Sequence, residues 1–280
     1  MDARRSLWHA GFVPRFLPAL LVLGACAVPP AAPPPPLSYP PAARERMISL
    51  ALGEWRDWGC AVIGLPGPAL APCPAPRPAS PESAPENFPR VLAYWRAVPQ
   101  AEVAIPPNRT HYARALAGAA PPLDAAPLWE EPPWSAAFIA WVVGAAGVDR
   151  AEFKPDAAHS VFLDHLDALA AAHPILAPFR PQDPAVHAPA PGDLICFDRA
   201  TRPLADWAAR ATERGRFRPM HCDIVVATGP GVIEAVGGNV TDRVALHRLP
   251  ADPAGRLAGG ERPWLVVMEN RLGRTPPWGP

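Results

Sequence analysis

An α+β fold is predicted by two features of the chain: apolar residues at helical spacing run through its first half, and short β-rich segments separated by turns fill the second. The first helix is expected over Arg44 to Trp58, where Met47, Ile48, Leu50, Ala51, Trp55 and Trp58 form an apolar stripe. Gly64 to Pro89 is rich in proline and small residues and reads as an irregular surface insertion. Pro89 suits the first turn of a short helix through "RVLAYWRAV", with Val91, Leu92, Tyr94, Trp95 and Val98 available for burial, and a loop follows. The stretch Ala136 to Val143 is apolar all round, so the helix that opens at Ser135 and ends at Gly147 should be enclosed by the rest of the fold. His159 to His173 presents Phe162, Leu166 and Leu169 on one face and stops at Pro174. Beyond it, "GDLICF", "HCDIVVAT", "GVIEAV", "RVALHRL" and "PWLVVME" read as strands of an antiparallel sheet. Leu204 to Arg214 is expected as a helix inserted between the first two.

Composition excludes some functions. Lysine plus arginine and aspartate plus glutamate each total 26, so no global field draws nucleic acid to the chain, and no nucleic-acid role is expected. With 280 residues, of which 49% are hydrophobic, one core is well supplied. The 43 prolines favour short elements and extended connectors.

Residues 1–25 read as a signal peptide: Arg4 and Arg5 give a positive start, Phe16 to Leu23 a short apolar run, and Leu23-Gly24-Ala25 a small-residue cut site. The following Cys26 resembles the acylated cysteine of a lipoprotein lipobox; the alternative is an ordinary signal peptide with a chance cysteine. The lipobox reading places the protein in the bacterial cell envelope, held by lipid alone, at the outer membrane facing the periplasm. Residues 26–43, with eight prolines from Pro29 to Pro41, read as a stiff extended tether. Residues 44–280 then form a single domain. In an oxidising compartment the four remaining cysteines are expected as disulfides, Cys60 with Cys73 across a Pro/Gly loop and Cys196 with Cys222 between neighbouring strands. Their spacing lacks a CxxC pair and the histidines are scattered, so neither a metal site nor another cofactor is expected.

Taken in order, "RVLAYWRAV", "PPWSAAFIAWV", "GDLIC", "HCDIVV" and "GGNV" resemble the bacterial domain-of-unknown-function family 2272, over roughly Arg44 to Met268. That family in turn resembles the CHAP and NlpC-type cell-wall hydrolases, which implies a papain-like arrangement of helices on an antiparallel sheet. In those enzymes a cysteine opens the central helix, a Gly-Asp pair opens the first strand, a histidine opens the second and a polar residue follows. The matching positions here are Ser135, Gly192 with Asp193, His221 and Asn239, so serine stands where the thiol would be. A hydroxyl needs a general base and an oxyanion hole far more than a thiol does.

Each residue has a plainer reading beside the catalytic one. Ser135 is a nucleophile or a helix cap. Strand alternation puts His221 and Asp223 on one face and Cys222 on the other, so His221 faces a cleft or is simply hydrogen-bonded at a strand end. Asn239 orients His221 or occupies a left-handed turn after Gly237 and Gly238. Asp193 is a turn-capping carboxylate before it is an acid, and His159 lines the cleft or lies on the surface. Trp134, beside Ser135, either stacks on a ligand or fills the core. The resemblance implies a groove for peptidoglycan peptide or amide bonds, with Ser135 attacking, His221 as base and Asn239 fixing its tautomer. The alternative is an inactive relative whose groove binds wall or an envelope protein.

Overall fold

The computed structural model describes residues 34–78, 80–119, 122, 128–259 and 263–273; the expected signal peptide and Cys26 lie outside them. Among the described residues no helix is long and apolar enough to cross a membrane. The described end of the expected tether, from residue 34, rests against the helical part of the fold. The Leu37 N–H donates to the Glu152 carboxylate, and the Asp149 N–H donates to the Tyr39 hydroxyl at 2.9 Å.

Among the described residues five α-helices precede most of the sheet: α1 (Ala42–Asp57), α2 (Phe88–Trp95), α3 (Ala101–Leu116), α4 (Ser135–Ala145) and α5 (His159–Ala172). In α1 the buried residues Ala43, Met47, Ala51 and Trp55 repeat every fourth position, the single stripe that sequence periodicity requires. In α4 eight of the first nine residues are buried, as expected of a helix without a polar face. The segment after α2, expected as a loop, is instead α3, with Pro106 and Pro107 inside it. Each proline leaves the carbonyl four residues earlier without its helical donor. Those carbonyls belong to Glu102 and Val103, which are exposed, so water can replace the donors. Asn108 then ties the buried side down: its Nδ2 donates to the Ala104 carbonyl at 2.9 Å, and its Oδ1 accepts from the Trp129 N–H at 2.7 Å.

The strands are β1 (Val62–Gly64), β2 (Phe179–Gln182), β3 (Leu194–Asp198), β4 (Met220–Gly229), β5 (Val232–Gly237), β6 (Ala245–Pro250) and β7 (Trp264–Asn270). They form one sheet in the order β1-β6-β5-β4-β3-β7-β2, antiparallel except where β1 runs parallel to β6. The architecture is therefore α+β with a seven-stranded, mostly antiparallel sheet. The two edge strands were not evident from sequence. β2 contains Pro181, which an edge position tolerates. β1 lies inside the Pro/Gly loop that Cys60–Cys73 was expected to span. Buried Glu234 also anchors this insertion, accepting from the Leu70 and Ala71 N–H groups at 2.8 and 3.2 Å and from Arg248 Nε at 3.0 Å. Arg248 in turn donates to the Leu65 carbonyl at 3.0 Å.

Both expected disulfides are present, Cys60–Cys73 and Cys196–Cys222. Cys196 and Cys222 sit directly opposite each other on β3 and β4. They belong to the main core with Leu194, Ile224, Val236, Phe138 and Trp55. Ile195, Val225, Ile233, Ala235 and Val267 form a smaller cluster on the other face of the sheet. The inserted helix is a short 3-10 turn, Ala208–Glu213. A buried pair holds it to α5, with Arg210 Nε and Nη2 donating to Asp164 at 2.9 and 2.8 Å.

Candidate active site

The site lies at the end of the sheet where β3 stops and β4 and β7 begin. Ser135 is the first residue of α4, and the N-cap position falls to Trp134 with no side-chain cap bond. The capping expectation for Ser135 is thus not met: its hydroxyl turns away from the helix and meets His159 Nε2 at 2.8 Å. His159 opens α5 and is only 4% exposed, so the surface reading of this residue is corrected as well. Ser135 and His159 both line a cleft of about 430 Å³ whose walls include Gln100, Asp156, Arg199, Phe217 and Met220.

His221 is not the hydrogen-bond partner of Ser135. Its Nε2 bonds Asp223 Oδ1 at 2.9 Å, and the second oxygen of Asp223 bonds His247 Nδ1 at 2.8 Å. The pleat explains the separation. His221 pairs with Phe197, Asp223 with Ile195 and His247 with Ala235, so all three polar side chains fall on the face of the smaller apolar cluster, opposite the disulfide. The alternation read from "HCDIVV" therefore holds, while α4 packs on the other side. Contact between the two groups is made by rings: those of His159 and His221 are 5.4 Å apart, centre to centre. Gly237 leaves room for this cluster, because a Cβ there would lie 1.9 Å from Asp223 Oδ1.

Electrostatics divides the histidines. Burial, reinforced by the charge of His221, holds the His159 imidazole well below its ordinary value, so it is neutral at pH 7. Burial also acts on His247, but the Asp223 carboxylate outweighs it and raises the imidazole. For Asp223 burial works against ionisation, and the charges and hydrogen bonds of His247 and His221 overcome it, holding the carboxyl far below the usual range.

The remaining expected residues are placed elsewhere. Asn239 is half-buried in the left-handed conformation at φ +54, the turn role foreseen as its alternative, and its side chain makes no hydrogen bond among the described residues. The partner that orients His221 is Asp223. Asp193 is fully buried at the far end of β3, accepting from the Ala190 and Asn270 N–H groups at 2.9 and 2.8 Å, a structural carboxylate. Trp134 is a core residue with 0% exposure, its ring stacked 5.5 Å from that of Trp58 and 5.4 Å from that of Tyr94. Its indole N–H donates to buried Glu82, whose pKa burial pushes up to about 7. Among the described residues no cluster of three metal-ligating side chains is found. His247 and Glu82 were missed by sequence reasoning, and Gly237 was read only as part of the turn before Asn239, not as the close neighbour of Asp223. The strand alternation of "RVALHRL" carried a usable signal for His247, but only once its register against β4 and β5 was known.

Fold and site together define an α+β protein in which a helix-borne serine and a helix-borne histidine meet at the end of an antiparallel sheet. Residues 82–271 match the family described as "Uncharacterized protein conserved in bacteria (DUF2272)", and the chain belongs to that family. The matched span begins after α1 and the Cys60–Cys73 loop and contains the whole Ser135–His159–His221–Asp223 constellation. Comparison with curated proteins and with solved structures gave no match.

Proposed function

We propose that this chain is a cell-envelope hydrolase of peptidoglycan peptide or amide bonds, with Ser135 as nucleophile and His159 as its base. The observation that carries the reading is the 2.8 Å contact of Ser135 Oγ with His159 Nε2 in a cleft. A neutral imidazole can take the serine proton as the hydroxyl attacks the carbonyl carbon, then return it to the departing amine; water repeats the cycle to release the acyl group. The helix-then-sheet order and the serine at the helix start are in keeping with a papain-like relative of the CHAP and NlpC-type enzymes. The lipobox-like Cys26 and the proline-rich tether support an envelope location.

One observation favours a second reading, a groove that binds without turnover. As base, His159 must keep its proton on Nδ1, and that nitrogen is buried with no hydrogen-bond partner among the described residues. A triad would place a carboxylate there. The test is chromatography and mass spectrometry of soluble products from purified cell-wall sacculi incubated with wild-type protein and with Ser135→Ala. Release by wild type that Ser135→Ala abolishes supports hydrolysis; sedimentation of both proteins with sacculi, without products from either, assigns the groove to binding.

A further inference from the structure

Two arginines line the cleft beside Ser135 and His159, and their surroundings differ. Arg218 is fully engaged: its Nε donates to Asp198 at 2.7 Å, its Nη1 to Glu213 at 3.0 and 2.9 Å, and its Nη2 to the Arg202 carbonyl at 2.6 Å. Arg199 is exposed, and its guanidinium has no hydrogen-bond or ion-pair partner among the described residues. Its backbone is nevertheless fixed, with the N–H donating to the Pro219 carbonyl at 2.8 Å. The cation is close enough to the reacting pair to be felt there, since after burial and His221 it adds to the depression of the His159 imidazole. The one carboxylate of the described cleft lining, Asp156, is already taken by Gln100 Nε2 at 2.9 Å and the Ala158 N–H at 2.8 Å. The same cleft is lined by the apolar side chains of Phe217 and Val103, each 72% exposed.

A cation with no ion-pair partner among the described residues, in a cleft with apolar walls, has one obvious complement. We infer that Arg199 is an anion subsite and that the ligand of this cleft carries a free carboxylate next to an apolar group. A guanidinium suits this task because its planar fork can take both oxygens of a carboxylate at once. The inference builds on the proposed reading of the cleft but concerns recognition, so binding tests it whether or not turnover occurs. The carboxylate can come from a peptide C-terminus or from an acidic side chain.

The experiment is calorimetric titration of the full-length protein with short N-acetylated peptides of three kinds: a C-terminal free acid, its C-terminal amide, and an amide bearing one glutamate side chain. Wild type should bind at least one carboxylate-bearing peptide about 10-fold more tightly than the neutral amide, the order of one charge-assisted contact. Arg199→Gln should erase that preference and Arg199→Lys should keep part of it. Because the Arg199 side chain supports no other residue, both variants should fold with unchanged melting temperature. Whichever of the two acids is preferred identifies the source of the carboxylate. Equal affinity for acid and amide, a preference that survives Arg199→Gln, or no binding of any peptide would each overturn the inference. Acid-selective binding without hydrolysis would instead remove the turnover claim and leave the subsite standing.

Discussion

Replacing Asp223 by asparagine should be the costliest single polar change in the molecule, and its cost should depend on pH. The carboxylate is 1% exposed and accepts one short hydrogen bond from each of two histidines. Asparagine keeps the shape but removes the charge that stabilises the raised His247 imidazolium. Removing one partner of a buried ionic pair typically costs about 3 to 5 kcal/mol. Here the loss is limited above neutral pH, because His247 can give up its proton. The signs follow from the direction of each shift. Asp223 is depressed, so its contribution is present above its ordinary 3.8 and is lost as pH falls below that value. His247 is raised, so its contribution is complete below its ordinary 6.5 and is lost as pH rises through the folded value. The gap between wild type and Asp223→Asn should therefore be widest between about pH 4 and 6.5. Urea denaturation at pH 5.5 and pH 8.5 measures it: a loss of about 3 kcal/mol or more is expected at pH 5.5 and a smaller one at pH 8.5. A loss below about 1 kcal/mol at both, or one that does not change with pH, would refute the ionic description of this cluster.

Three further outcomes follow from the packing. Replacing Cys196 and Cys222 together by alanine removes a link across 26 residues and should cost about 2 to 4 kcal/mol in denaturant titrations; an unchanged midpoint would contradict the buried cross-strand bond. Gly237→Ala should displace the Asp223 carboxylate and lower stability by about 1 to 3 kcal/mol, whereas Gly53→Ala, with open space around its Cβ, should not destabilise; equal effects would contradict the close approach at Gly237. Glu82 is raised from 4.5 to about 7, so its contribution is full below 4.5 and fades as pH rises through 7. Glu82→Gln should accordingly flatten the fall in melting temperature over that interval, and parallel curves for the two proteins would dismiss the buried-carboxyl account.

Much of the fold was legible because its signals were local. The stripe in α1, the all-apolar α4, the stop at Pro174 and the alternating strands each announce themselves within one element. The elements that escaped depend on distant partners. α3 contains two prolines that only solvent on its outer side makes tolerable, and β1 exists because β6 offers it an edge. The site divides the same way. That His221 and Asp223 share a face while Cys222 takes the other follows from the pleat alone. The pairing of Ser135 with His159 does not, since it depends on how the first turn of α5 docks against the start of β4. Resemblance to the cell-wall hydrolases pointed to His221 as the base, yet in this chain the serine hydroxyl meets the α5 histidine, and the hydrogen bond to His221 expected of Asn239 is made by Asp223.

The central claim is that His159 activates Ser135. Its most direct measurement is mass spectrometry of the intact protein after exposure to a fluorophosphonate, which phosphonylates an activated serine. One adduct per chain, mapped to Ser135, is predicted for wild type, with labelling abolished in Ser135→Ala and reduced at least 100-fold in rate in His159→Gln, the scale of a lost general base. No adduct on wild type, or labelling that survives His159→Gln and vanishes only in His221→Gln, would contradict the account.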